Sequence, residues 1–431
     1  MVSRFVLALY ALLTAAAPAG ADLLGHGGMV RALAVSPDGA RVLTGSFDYT
    51  AKVWNFDDQS ERAELADHNG PVNAVAFLPD GRRAVTAGGD GVALLWDLER
   101  GQVLRKFEGH QAKIVAVALT GDGARLATAS WDRTARVWDV ATGRQLLVLD
   151  HPAPVNAVAF GAGGATLVSG GHDGLVRVWD AATGRAKGRV SGQGMGITQL
   201  AVSPDGRRLL SSGIDNSLRL WDLAELRQVR AFRLHDSQVL SAAFSPDGHT
   251  ALSGGRDGVL VHLDLDTGQV LRAIKAHKAM VWNVAFTPDG RFALTASADE
   301  SVRVWHLATG DRIGDTGAPD PGPKPWLTSD APGPRLYRKC AKCHALDPAA
   351  PQRSGPHFAG LFGRRAGTVP GYRYSAALAG ADFTWNATTL AELFTRGPDV
   401  MLPGTKMPVQ RIPDAAGLAA LIAYLRELTA D

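Results

Sequence analysis

Apolar and polar positions change their period three times along the chain. After Arg4 comes an unbroken apolar run, Phe5 to Ala17, followed by Pro18 and the small residues Ala19, Gly20 and Ala21. From Asp22 to about residue 315, short β-rich runs such as AVAF (74–77), AVTAGG (84–89) and ALLWDL (93–98) alternate with turn signals. Pro-Asp-Gly punctuates them at 37–39, 79–81, 204–206, 246–248 and 288–290, so this region is predicted to be all strand and turn. The pattern stops at Thr316, where prolines 319, 321, 323, 325, 332 and 334 favour an extended spacer. In the final segment, Asp414 to Leu428, residues Leu418, Leu421, Ile422, Leu425 and Leu428 recur at helical spacing and form a core-facing stripe.

The strand region repeats itself. His26, His68, His110, His151, Gln193, His235 and His277 recur every 42 residues, with one step of 41. An Asp follows each by 22 residues (48, 90, 132, 173, 215, 257, 299), and a Ser or Thr precedes that Asp by four. Trp54, Trp96, Trp138, Trp179, Trp221, Leu263 and Trp305 close the pattern. Four short strands per repeat is the arithmetic of a propeller blade. A recurring His/Asp/Ser set also invites a hydrolase reading, but seven copies at one period point to a scaffold.

With Gly25-His26 and Gly109-His110, and with Trp96-Asp97, Trp138-Asp139, Trp179-Asp180 and Trp221-Asp222, residues 22–315 resemble the WD-repeat family. The resemblance implies a seven-bladed β-propeller in which His, Asp, Ser/Thr and Trp of each blade form a hydrogen-bonded chain. Gln193 preserves that chain in blade five, whereas Leu263 has no donor to complete it in blade six. The segment 308–315 reads as an ordinary fourth strand, so the C-terminal side is expected to fill blade seven. By the same likeness, partners dock on the face carrying Met29, Arg31, Phe47, Lys113, Trp131, Asn156, His172, Ile214, Arg256, Met280 and Trp282.

Composition narrows the classes. The 431 residues are 46% hydrophobic and 20% charged, which excludes disorder, and two cysteines cannot build a disulfide framework. At net charge +3 with no polybasic stretch, nucleic acid is not an expected partner. Residues 22–315 carry 31 Lys+Arg against 33 Asp+Glu, and residues 335–431 carry 12 against 7, so the C-terminal module is the basic one. The N-terminal run has the three-part form of a secretory signal cleaved after about Ala21. An uncleaved anchor is the alternative, but thirteen apolar residues are short for a bilayer span. The mature chain is expected in the periplasm, with no membrane span.

Both cysteines fall in Cys340-Ala341-Lys342-Cys343-His344. CxxC alone fits a redox pair or half a zinc site; the adjacent His makes it the c-type haem attachment pattern, with two thiols for the vinyl groups and an imidazole for the iron. Around it stand Gly355-Pro356-His357-Phe358-Ala359-Gly360-Leu361-Phe362-Gly363-Arg364, Pro370-Gly371-Tyr372-Arg373-Tyr374, Trp385 and Pro403-Gly404-Thr405-Lys406-Met407. With these, residues 334–431 are similar to class I cytochromes c of the mitochondrial and bacterial periplasmic type. That resemblance implies a small all-α domain with one covalent haem c and Met407, not Met401, as the second axial ligand. It further implies the Pro356 carbonyl as acceptor for His344 Nδ1, and Arg364, Tyr372, Tyr374, Trp385 and Thr405 around the haem propionates. The stretch from Trp385 to Met407 is one residue longer than the mitochondrial pattern, and Leu393 stands where that pattern has tyrosine.

The expected organisation is a signal peptide (1–21), a seven-bladed WD-repeat propeller (22–315), a Pro-rich linker (316–333) and a cytochrome c domain (334–431). The expected function is one-electron transfer with an unidentified redox protein that docks on the propeller. Two alternatives stand beside it: an oxidoreductase whose propeller binds a substrate or second cofactor, and a non-redox binding scaffold in which haem reports redox state or stabilises the fold.

Overall fold

A computed structural model describes residues 22–191, 193–314, 326, 329–341, 344–348, 355–372, 374–405, 407 and 409–429. The leader Phe5–Ala17 and most of the Pro-rich linker lie outside the described residues. Among the described residues no helix is long and apolar enough to cross a membrane.

Seven antiparallel sheets form the propeller, six of them built from four consecutive strands and the seventh from five, one of which comes from the N-terminal end. In the second blade these are Val72–Phe77, Arg83–Gly88, Ala93–Asp97 and Gln102–Phe107. The middle strands are buried along nearly their whole length because neighbouring blades cover both faces, whereas Gln102–Phe107 alternates exposed and half-buried positions. Blades approach closely where the second strand carries a minimal side chain. A Cβ added to Gly45 would lie 2.7 Å from Val72 Cγ1 of the next blade, and one added to Gly254 would lie 2.6 Å from Val281.

The repeated polar residues knit each blade. In the first, Trp54 Nε1 donates to Thr44 Oγ1 (2.8 Å), which pairs with His26 Nε2 (2.7 Å), while His26 Nδ1 meets Asp48 (2.8 Å). Since the carboxylate only accepts, Nδ1 carries the proton and the hydroxyl donates to Nε2. Blade five runs the same chain through Gln193, which donates to Asp215 and accepts from Ser211. In blade six His235 still joins Ser253 and Asp257, and buried Leu263 takes the place of the indole.

Blade four departs from the expected chain. His151 Nδ1 donates to the Leu149 carbonyl (2.9 Å), and Asp173 turns to Arg177 (2.7 Å). In blades one, two and three the Asp also accepts the backbone N–H of the residue after the His. In blade four that residue is Pro152, which has no N–H to offer, so the carboxylate loses that tie.

Closure of the ring also differs from expectation. Both termini pair with Ser301–His306: Leu23 lies opposite Val302, and Ile313 lies opposite Val304. The C-terminal segment therefore shares blade seven with Leu23–Leu24, which leaves Leu23 buried in a cluster with Val302, Trp54 and Phe292. Asp22 bridges the two ends, accepting from Arg303 (3.3 Å) and Arg312 (2.8 Å).

The buried networks predict a two-stage loss of stability in acid. Burial holds the His110 and His151 imidazoles below their ordinary value, so they stay neutral when folded and take up protons on unfolding below about pH 6.5. Burial alone would raise the Asp132 and Asp299 carboxyls, but hydrogen bonds from Thr134 and His110, and from His277 and Ser301, outweigh it and hold both at about 2. Their contribution is complete above about pH 4 and disappears as the pH falls towards 2. Denaturant midpoints from pH 8 to 2 should decline gently below about 6.5 and steeply below about 4; a flat profile down to pH 3 would contradict the network.

Past the propeller lies a small helical unit: α1 (Pro332–Cys340), α2 (Ala376–Ala379), α3 (Ala387–Arg396), α4 (Pro398–Met401) and α5 (Ala415–Leu428). Asn386 and Thr389 form a reciprocal capping box on α3, and Asp414 caps α5 by accepting from Ala416 and Gly417. Helices α1 and α5 cross where Gly333 lacks a side chain; a Cβ there would sit 2.7 Å from the Ala420 carbonyl. Tyr337 then meets Tyr424 edge-on at 5.6 Å, so Tyr424 packs on Tyr337 and Gly333, while Leu336 reaches towards Gly417. Trp326 stacks edge-on against Tyr337 (5.2 Å) and its carbonyl accepts from Arg338, which ties the linker to this unit.

Candidate functional site

The helical unit encloses a cavity of about 310 Å³. Its apolar wall is built by Phe358 and Leu361, by Leu390, Leu393 and Phe394 of α3, by Leu402 after α4, and by Leu425 of α5. These same residues are the core of the unit, so the cavity replaces a packed centre.

His344 lies in this wall. It is tied to the end of α1, its N–H donating to the Cys340 carbonyl (3.0 Å), which sets Cys340 and His344 close together. Cys340 is buried at the end of α1; Cys343 lies outside the described residues. His344 Nδ1 stands 2.7 Å from the Pro356 carbonyl oxygen. That acceptor fixes the tautomer and puts the lone pair on Nε2. The ring stacks on Phe358 (4.2 Å, 14°), and on another side the Gly355 backbone comes so close that a Cβ would be 2.4–2.8 Å from three ring atoms.

Met407 shares the cavity wall with His344, whereas Met401 packs on the core outside it. The turn that presents Met407 is held by Thr405, whose N–H donates to Leu402 (2.9 Å) and whose Oγ1 accepts from Met407 N (3.2 Å). Arg364, Tyr372, Tyr374, Trp385 and Thr405 also line this cavity. Two Arg364 donors are spent on the Ala359 and His357 carbonyls (2.6 and 2.8 Å), and burial lowers its pKa from the ordinary value. Tyr372 and Tyr374 pack edge-on at 4.7 Å, and burial pushes the Tyr374 phenol up although its oxygen accepts from Val369 N. Trp385 stands edge-on to Phe383 at 4.8 Å.

The donor set fits a haem. An imidazole with an oriented Nε2 and a thioether share one apolar cavity, a cysteine opens the turn that carries the imidazole, and among the described residues no cluster of three or more His, Cys, Asp or Glu offers a different metal site.

Sequence reasoning left several contributors without a role. Gly355 and Phe358 belong to the motif that carries the resemblance, but their grip on His344 is a contact between residues eleven and fourteen positions apart that spacing does not report. The cavity wall also continues onto the first blade through Phe47, Tyr49, Thr50, Glu64, Ala66 and Asp67. Phe47, expected on a partner face, therefore lies at the crevice. Of the other residues expected there, Arg31, Asn156 and Trp282 line a separate cavity. Trp131, His172 and Arg256 are exposed, Trp131 and His172 meeting edge-on at 5.2 Å, whereas Met29, Lys113, Ile214 and Met280 are half-buried.

Comparison with known proteins separates the two parts. Segments 20–55, 59–97, 101–139, 143–180, 184–222, 226–262 and 268–306 match the family described as WD domain, G-beta repeat. A stretch of 99 residues, 23% of this chain, is 42% identical to cytochrome c of Sesamum indicum and covers 88% of that protein. A stretch of 101 residues is 37% identical to cytochrome c2 of Blastochloris viridis, covering 79% of it, and another is 41% identical to cytochrome c of Nigella damascena, covering 90%.

Proposed function

Because the chain belongs to the WD domain, G-beta repeat family and is a cytochrome c homologue over 23% of its length, we propose that it is an exported electron-transfer protein. The repeat matches occupy 20–306, so the cytochrome likeness is assigned to 334–431, where the Cys340–His344 motif and Met407 stand. The observation that carries this reading is the placement of His344 and Met407 in one apolar cavity.

Haem c, attached through Cys340 and Cys343, would supply a one-electron couple. His344 would hold the iron through Nε2, and its Nδ1 bond to Pro356 orients the ring and increases its basicity. Met407 offers the thioether, whose weak donation favours the reduced state. Leu361, Leu390, Leu393, Phe394, Leu402 and Leu425 exclude water, which favours the less charged state further. Arg364, Tyr372, Tyr374, Trp385 and Thr405, which line the same cavity, would hold the haem propionates. The propeller contributes a docking face bearing Met29, Trp131, His172, Arg256 and Met280 for a redox protein, and the tether raises that partner's effective concentration at the crevice. The apolar run Phe5–Ala17 supports export to the periplasm.

With both ligands supplied by His344 and Met407, the iron would have no open coordination position. The visible spectrum of the reduced, purified protein should therefore stay unchanged when carbon monoxide is added. A prompt shift on addition, or a colourless protein, would overturn the assignment.

A further inference from the structure

Every innermost strand of the propeller is bulged at the same place. In all seven blades the pairing register slips across the strand's second residue. A bulge re-aims the side chain it carries, and the seven bulged residues, Arg31, Asn73, Val115, Asn156, Thr198, Leu240 and Trp282, together line a cavity of about 620 Å³ enclosed by the inner strands. No residue of this cavity lines the crevice around His344.

Three of the seven spend their donors on the next blade. Asn73 donates to the Ile114 carbonyl (2.9 Å), Asn156 to Ile197 (2.8 Å) and Thr198 to Val239 (2.6 Å). What remains at this mouth is one-sided. The Arg31 guanidinium lies 4.3 Å from the Trp282 ring centroid, and no hydrogen-bond acceptor or carboxylate meets it among the described residues. The Trp282 indole N–H is shielded from water and has no acceptor among the described residues. Lys113 Nζ stands 3.3 Å from the Trp131 ring centroid and likewise has no carboxylate partner among the described residues.

Burial lowers Arg31 to about 10, and burial together with the charge of Arg31 lowers Lys113, so two cations repel each other without an intervening anion. Arg31 is only half-buried by area because the channel leaves it open from one side. The buried Lys52 of the first blade, by contrast, donates to Glu61 (2.8 Å) and Glu64 (2.9 Å). Held over the indole, the Arg31 guanidinium still has N–H donors to offer, and their fork suits a two-oxygen acceptor.

We propose that the mouth of the propeller channel binds a small organic carboxylate, held by the Arg31 guanidinium with Lys113 adding charge, its carbon body against Val115 and Leu240. The apolar ring members favour an organic anion over an inorganic one. This site is independent of the haem assignment.

Calorimetric titration of the full haem-loaded chain with succinate and benzoate tests it, with phosphate and chloride as comparison arms. Carboxylate binding should weaken about ten- to a hundredfold in Arg31→Gln and by a smaller factor in Lys113→Gln. The exposed Arg144→Gln should match wild type. Circular dichroism and the haem spectrum, unchanged in each variant, establish that the fold persists. Should Arg31→Gln disturb the fold, Lys113→Gln alone still has to weaken binding. The proposal is overturned by no carboxylate binding at about 10 mM, by phosphate or chloride binding equally well, or by Arg31→Gln and Lys113→Gln binding as wild type does.

Discussion

Met407→Ala should lower the reduction potential by on the order of 0.1–0.3 V, a fraction of the roughly 0.8 V range that axial ligation spans, and should abolish the weak sulfur-to-ferric charge-transfer band. The structure makes the control as informative as the variant. Met401 lies six residues away on the same short stretch, but it packs on the core outside the cavity wall that Met407 shares with His344. Met401→Ala should therefore keep both the band and the potential and lose only packing, roughly 1–3 kcal/mol for a half-buried methionine. Potentiometric titration with optical detection reads both variants. If Met407→Ala keeps its band, or Met401→Ala loses it, the sulfur ligand has been assigned to the wrong residue.

Gly355→Ala should be nearly as damaging, although it adds a single methyl group. The added carbon would sit 2.4–2.8 Å from three atoms of the His344 ring, and that ring cannot retreat freely because Phe358 stacks on it at 4.2 Å. Its Nδ1 is committed to the Pro356 carbonyl at 2.7 Å. The imidazole must rotate out of its position or the 355–358 segment must shift, at an overpacking cost of about 1–3 kcal/mol. The haem-to-protein ratio should drop and thermal stability of the loaded form should fall. Gly380→Ala, whose nearest neighbour would be 3.3 Å away at the end of α2, serves as the mild comparison. A Gly355→Ala protein with full haem content and an unmoved potential would show that the close approach carries no constraint.

How much of this site was legible follows from how each residue announces itself. Cys340 and His344 stand out because their chemistry requires adjacent positions in the chain. Pro356, Arg364 and Met407 became visible only through family resemblance, and the structure gathers them around one cavity. Nothing in the local sequence separates Gly355 from forty-eight other glycines, since its significance is an approach to a ring eleven residues earlier. The same holds for the channel mouth. Arg31, Lys113 and Trp282 sit at regular places in three different repeats, and only the fold brings Arg31 onto Trp282 and close enough to Lys113 for its charge to be felt there.

By itself the sequence determined the seven blades, the residues that knit most of them and the change to helical spacing at the C-terminus. Each depends on contacts a few residues apart or on a register repeated every 42 residues, and such periods are written directly in the order of side chains. Tertiary structure alone decided that both termini close blade seven, that Pro152 diverts Asp173 from its histidine, and which donors are left without acceptors in the channel. These outcomes depend on distances across the folded ring, as between Asp22 and Arg303, 281 positions apart. Short-range pattern sets what each segment becomes, whereas closure, enclosure and unbalanced charge exist only once distant segments meet.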